Sequence, residues 1–378
     1  MPGPVSKCAA KGGSRSLSSL LLLRQMADIA FFGICMKKPT MDKKSKRSSC
    51  ALVLLSWLLL CAGCSYLVKN DRELVYSNAQ YGADKFVVVS DRHIHYVEAG
   101  EGQPLLLIPG AFSTYRDWNR ITPFLARQYR VLAIDYLGVG DSDKPRSGTG
   151  YTIEAQADLL VKMMDTLRIS KADIVGVSYG GGIALNIAAR YRDRVGKIIC
   201  IEGNGLKNEK LPYRPMEALL RWPVISDAAI GLIRSGLIDG VVVRLVMGTA
   251  WHELSEEGRK EVSGIISQNN KTASRFSWYH ISRSMKTSKD FTEEVKSVEL
   301  PILYLYGKKS GYRYMAETNA EFLKKHLSDV TIISFEDGIH DLELQKPATV
   351  ADLIVEFLSG RKGGDPLMGA LSRGCGER

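Results

Sequence analysis

Histidine is scarce in this chain, with six among 378 residues. Cysteine is scarce where it would matter. Of seven cysteines, only Cys200 and Cys375 follow Cys64, which leaves no disulfide framework for the bulk of the chain. Cys61 and Cys64 have Cys-x-x-Cys spacing, but an apolar run precedes them and no second pair follows. His252-Glu253 lacks the second histidine of a zinc helix, so no metal is expected, and no cofactor either. No internal repeat is visible. Acidic residues are in deficit, giving a net charge of +10, but the excess is local. Residues 1–63 hold ten Lys or Arg against two Asp or Glu, a net of +8. The remainder, with 41 basic and 39 acidic residues, is nearly neutral at +2. No basic stripe with interleaved aromatics occurs, so nucleic acid is not an expected partner.

What is present begins with an export pattern. Lys43, Lys44, Lys46 and Arg47 precede a short apolar core, Cys50 to Leu60, and then Cys61-Ala62-Gly63-Cys64. The apolar core falls short of the roughly 18 residues that suggest a span, and the order of parts is that of a signal peptide. The ending resembles a bacterial lipobox, although Cys61 stands where Leu is usual. By that resemblance Cys64 is lipidated, and Ser65 after it favours the outer membrane. The expected location is then exported and membrane-anchored, facing the periplasm. An uncleaved signal anchor is the alternative. The true start is expected at Met41, with residues 1–40 an upstream extension.

From Lys85 onward short β-branched runs alternate with helical patterns. Phe86–Val89 and His93–Val97 read as a hairpin turning at Ser90-Asp91. Leu105–Ile108, Val131–Ile134, Asp173–Val177, Lys197–Ile201, Ile302–Tyr306 and Thr331–Phe335 read as further strands. Thr152–Leu167, Gly181–Tyr191, Glu317–Leu327 and Thr349–Leu358 read as helices. This alternation implies an α/β fold with a mostly parallel, doubly covered sheet. Residues 204–295 break it with helical patterns after Pro212, Pro215 and Pro223, and read as a lid. The expected organisation is anchor and linker at 64–84, core at 85–203 and 296–360, lid at 204–295 and a disordered tail at 361–378. Lid stretches such as Leu219-Leu220-Arg221-Trp222 and Leu237–Val246 are apolar. They hint at a lipid or acyl substrate, yet such residues usually pack on the domain.

Gly176-Val177-Ser178-Tyr179-Gly180 follows one predicted strand and opens a predicted helix. That context marks a nucleophile elbow, whose tight turn needs tiny residues two before and two after the serine. Ile108-Pro109-Gly110-Ala111, the run Asp135-Tyr136-Leu137-Gly138-Val139-Gly140-Asp141-Ser142-Asp143-Lys144-Pro145, and Gly338-Ile339-His340 accompany it in order. Together these motifs resemble the α/β-hydrolase superfamily across residues 85–358. The resemblance implies an eight-stranded, mostly parallel sheet covered by helices on both faces, with a helical lid. It also implies Ser178 as nucleophile, His340 as base, and backbone N–H groups of Ala111 and Tyr179 as the oxyanion hole. Pro109 replaces the family's usual His. The family's acid most often follows the strand equivalent to Ile302–Tyr306, where this chain has Gly307-Lys308-Lys309-Ser310, and Ser310 carries no charge. Glu202, ending the preceding strand, is the candidate instead, an arrangement similar to a subgroup of haloalkane dehalogenases. Asp337 and Asp341 are the other acids in reach.

The expected activity is ester hydrolysis through an acyl-enzyme, on a small-molecule ester or lipid. A carbon–carbon bond hydrolase, an amidase and a cofactor-free perhydrolase share the fold and triad. A non-catalytic binding protein of the same fold is the remaining alternative. Serine at the elbow, rather than aspartate, argues against dehalogenase or epoxide hydrolase chemistry.

Overall fold

The computed structural model describes residues 79–203, 206 and 220–360. The expectations for the signal peptide, Cys64, the start site, the tail and Pro212 and Pro215 lie outside them.

Val87 and Val89 are buried while Phe86 and Val88 face outward, the period-2 pattern of a one-sided edge strand. They belong to β1 (Ala83–Val89), which pairs antiparallel with β2 (Arg92–Ala99). The turn between them holds Ser90 at φ 47° and Asp91 at φ 67°, the paired positive φ values of a tight hairpin. The remaining strands are β3 (Gln103–Ile108), β4 (Tyr129–Asp135), β5 (Ala172–Val177), β6 (Val195–Ile201), β7 (Ile302–Gly307) and β8 (Val330–Phe335). The sheet order is β1-β2-β4-β3-β5-β6-β7-β8, and the pairings beyond β2–β4 are parallel. All six residues of β5 are buried, as expected for a parallel strand covered on both faces.

Helices cover both faces because each carries one apolar stripe. In α1 (Ile153–Thr166) the buried Ile153, Ala157, Leu160 and Met164 recur at helical spacing, and the Thr152 hydroxyl caps the first turn through the Ala155 N–H. With α2 (Tyr179–Arg190) it covers one face of the sheet, where Leu160, Ile183 and Leu323 share a core. The opposite core joins Trp118 and Ile121 to Val350 and Ile354. Each fully buried side chain of this size contributes about 1.5–3 kcal/mol.

Between β6 and β7 the chain forms α3 (Pro223–Arg234), α4 (Asp239–Met247), α5 (Glu256–Lys271) and α6 (Arg275–Thr287). These have a small core of their own, with Val243, Met247, Val262, Ile265 and Ile266. Ile339 and Leu344, from the segment after β8, belong to the same cluster, so this helical insertion packs beside His340. The chain continues through α7 (Arg313–His326) before β8, and α8 (Pro347–Ser359) after it. Among the described residues no helix is long and apolar enough to cross a membrane.

Candidate active site

The carboxyl ends of β3, β5, β6 and β7 lie side by side in the sheet, and the sequence motifs sit at those ends. Ser178 follows β5 and caps α2 with φ 51° and ψ −116°, a sparsely populated backbone state that is retained only when its surroundings enforce it. They do so here. The Ser178 N–H donates to Ile201 O at 2.8 Å, and Ser178 O accepts from the Gly182 N–H at 3.1 Å. A methyl group on Gly176 would meet Gly180 O at 2.3 Å, and one on Gly180 would meet Ile108 O at 2.3 Å. Both positions therefore exclude any larger residue. Ser178 is 8% exposed.

Tyr179, fully buried, is the first residue of α2, so its N–H has no intrahelical acceptor. The other expected oxyanion donor belongs to the peptide group joining Gly110 to Ala111. Its carbonyl, Gly110 O, accepts from the Tyr136 hydroxyl at 3.0 Å and from the Ser113 N–H at 3.3 Å. A trans peptide holds its N–H opposite its C=O, so the Ala111 N–H points away from Tyr136. A methyl group on Gly110 would lie 3.6 Å from Ser178 Cβ, which places this loop against the elbow.

Glu202 directly follows β6, at φ 44°, and is fully buried. Its N–H donates to Leu305 O at 2.9 Å. Its carboxylate is fully engaged. Oε1 accepts from the Gly307 N–H at 2.8 Å, and Oε2 accepts from the Ser310 hydroxyl at 2.7 Å and meets His340 Nδ1 at 2.6 Å. A buried charge is tolerable only with such partners. Burial lowers the basicity of His340, but the hydrogen bond and charge of Glu202 outweigh it, and the imidazole pKa is raised. Tyr312 lies against the His340 ring, centroids 4.6 Å apart. Asp337 is paired with Lys346 at 2.7 Å, and no hydrogen bond joins Asp341 to His340 among the described residues. Burial raises the pKa of Asp341. Of the candidate acids, the structure brings Glu202 to the imidazole. No hydrogen bond joins Ser178 Oγ to His340 among the described residues. Such contacts often form only with substrate in place.

Ser310 had a further part that sequence reasoning missed. Its hydroxyl donates to Glu202 while its oxygen accepts from the Tyr312 N–H at 3.0 Å. The clue was its place, four residues into the segment that holds the acid in similar proteins. The other histidines have separate partners. His93 meets Asp143 at 3.3 Å, His280 Nε2 meets Arg146 O at 3.0 Å, and His326 packs on Phe322. His252 lies in a short 3-10 turn. His95 is fully buried, with Nδ1 at 2.8 Å from Asp135 and Nε2 at 3.1 Å from Asp84. His95, Asp135 and Asp141 have metal-like spacing, yet both imidazole nitrogens are already committed to carboxylates. Asp135 also accepts from the Tyr115 N–H at 2.8 Å and the Asp141 N–H at 2.9 Å. This cluster ties the loop after β3 to the glycine-rich loop after β4.

The chain has the α/β-hydrolase fold. The family model described as the alpha/beta hydrolase fold matches residues 103–225. A 2-hydroxymuconate semialdehyde hydrolase from Pseudomonas sp. (strain CF600) is 37% identical over 112 residues, 29% of this chain and 39% of that protein. The chain spans between about two fifths and one half of the length of the curated relatives it matches. Among solved structures, a membrane phospholipase A, described as a bacterial virulence factor, superposes with a TM-score of 0.61 at 20% identity. That match covers 91% of this chain and 97% of the other. The enol-lactonase from Burkholderia xenovorans LB400 also gives 0.61, at 19% identity, over 73% of this chain and all of its own.

Proposed function

We propose that the protein is a serine hydrolase that cleaves a carboxylic ester through an acyl-enzyme. Ser178 attacks the carbonyl carbon, and His340 takes the hydroxyl proton and returns it to the leaving alcohol. Water then attacks the acyl-enzyme with the same help. Glu202 orients the imidazole and stabilises its cationic form. The N–H groups of Ala111 and Tyr179 stabilise the tetrahedral oxyanion, each worth about 3–4 kcal/mol in such sites. One observation supports the serine-hydrolase part of this reading: a buried Glu202 carboxylate with 2.6 Å to His340 Nδ1, in a chain whose elbow holds serine. A phospholipase and an enol-lactonase among the structural neighbours are compatible with an oxygen ester or lactone, and meta-cleavage product hydrolases stand among the same neighbours.

The second reading is hydrolysis of a carbon–carbon bond beside a carbonyl, favoured by the 2-hydroxymuconate semialdehyde hydrolase relative. A substrate panel separates the two. Nitrophenyl esters of rising chain length and a ring-fission vinylogous diketoacid are offered to the purified chain. Ester turnover that disappears in Ser178→Ala supports the first reading. Turnover of the diketoacid with negligible esterase activity selects the second. For location, the proposal remains a signal peptide and lipidation at Cys64. Incorporation of a clickable fatty acid that is lost in Cys64→Ala tests it.

A further inference from the structure

Nine large hydrophobic residues are prominently exposed among the described residues, and six fall between positions 222 and 245. They are Trp222 (64% exposed), Val224, Ile225, Leu237, Val241 and Leu245 (79% exposed). Scattered exposed apolar residues need no explanation, but a cluster marks a contact surface. The local structure strengthens the point. In α4, Val243 and Met247 turn inward to the insertion's core. Val241 and Leu245, also four apart and therefore on one face, turn outward. A helix apolar on both sides is not a water-facing helix. Both α3 and α4 pack on α5, so the exposed residues at Trp222–Ile225 and Leu237–Leu245 are carried by two segments that share that neighbour.

The patch is net positive, with half-exposed Asp239 as its accessible acid against exposed Arg221 and Arg244. The acids within residues 220–247 are Asp227 and Asp239. Asp227 is buried and paired with Arg275 at 3.0 Å, and Asp239 accepts from Asn270 at 2.6 Å. Arg221 and Arg244 are exposed. We infer that this face of the insertion docks on an anionic lipid surface, with Trp222 at the headgroup level and Val224, Val241 and Leu245 in the acyl boundary. An apolar face rimmed by arginine, with tryptophan at its edge, has the chemistry that such surfaces bind. A symmetric contact between two copies would bring two net-positive patches together, each with two exposed arginines against one half-exposed acid, Asp239. The inference does not depend on the hydrolase reading or on an anchor at Cys64. It does set the membrane on the far side of α4 from Ile339 and His340.

The test uses the full chain bound to phosphatidylcholine vesicles with and without phosphatidylglycerol, binding being followed by flotation. The emission of Trp222 is taken as the difference between wild type and Trp222→Phe. Phospholipids brominated near the headgroup end of the acyl chain should quench that difference about two-fold or more, as for an interfacial tryptophan, and more strongly with phosphatidylglycerol present. The triple variant Val224→Ser, Val241→Ser and Leu245→Ser, altered only at exposed positions, should lose the quenching. Trp222 emission unaffected by brominated lipid overturns the inference, whether or not the chain floats. So does a dimer in native mass spectrometry that the triple variant abolishes, which would assign the face to a second copy.

Discussion

Replacing Glu202 by Gln removes one charge from the site while keeping its volume. In the wild type the carboxylate accepts three hydrogen bonds, from Gly307 N–H, the Ser310 hydroxyl and His340 Nδ1. A glutamine amide offers one oxygen and one NH2. If its oxygen serves Ser310 and His340, its NH2 faces the Gly307 N–H, donor against donor. The opposite flip turns the NH2 toward His340 Nδ1 and stabilises the wrong tautomer. Leaving one buried donor unmade costs about 1–3 kcal/mol of stability. The kinetic loss is larger, because the acid stabilises the imidazolium formed in the transition state. The corresponding change in a serine protease lowers kcat about 10⁴-fold, close to 5.5 kcal/mol at 1.36 kcal/mol per decade. We therefore expect kcat/KM to fall by about 10³–10⁴, mostly in kcat. The pH profile carries a second signature. Only neutral His340 can act as base, and Glu202 raises its pKa. The acidic limb of the wild type should lie above the ordinary histidine value of about 6.5, and that of Glu202→Gln should move to lower pH. Stopped-assay kinetics across pH, with folding checked by near-UV circular dichroism, provide the readout. A folded variant within ten-fold of wild type, or an unmoved acidic limb, would refute the role given to Glu202.

Four further outcomes follow from the same geometry. Ser310→Ala removes one hydrogen bond to a charged group, worth about 1.5–3 kcal/mol, and should lower kcat/KM by at most about 10- to 100-fold, less than Glu202→Gln. Ser310→Asp should partly restore activity to Glu202→Gln and harm the wild type, where it would set two carboxylates together; equal effects in both backgrounds would contradict this. Tyr136→Phe removes one of the two hydrogen bonds to the carbonyl of Gly110, leaving that of the Ser113 N–H, and should lower kcat about ten-fold with KM little changed, the mark of lost oxyanion geometry. His95 is raised in pKa despite the lowering effect of burial, because Asp135, Asp141 and Asp84 favour its cation. Its contribution to stability should be full below about pH 6.5 and decline as pH rises through the higher folded value. Denaturant melts of wild type and His95→Ala at several pH values should show the gap narrowing upward.

The strands were legible because β-branched runs buried on both faces leave little else for such segments to do, as β5 illustrates. Helix starts were less so. α2 begins at Tyr179 rather than Gly181, because Ser178 occupies the cap position and the glycines lie inside the first turn, where Gly180 abuts Ile108 and Gly181 abuts Gly203 and Cys200. α7 begins at Arg313 rather than Glu317. The apolar stretches of the insertion were expected to pack on the domain, and among the described residues they do so only in part, as with buried Leu220 and Val243. Val243 and Met247 turn inward, while Trp222, Leu237 and Leu245 face outward. Hydrophobic periodicity could not decide this, since α4 is apolar on both sides. Glu202 was a candidate partner for His340 through the resemblance to hydrolases that carry their acid at that strand end, with Asp337 and Asp341 left open. Ser310 was read as a vacancy where an acid belongs, and its bond to Glu202 depends on side-chain placement across two strand ends. The orientation of the Gly110–Ala111 peptide by Tyr136 likewise has no local sequence signal.

The central claim is that Ser178 is a nucleophile activated by His340 and Glu202. Its most direct test is the intact mass of the purified chain after treatment with a fluorophosphonate. The account predicts rapid addition of one phosphonyl group, mapped to the peptide holding Ser178, absent in Ser178→Ala and strongly slowed in Glu202→Gln. No adduct on a folded wild-type chain, or an adduct that persists in Ser178→Ala, would contradict it.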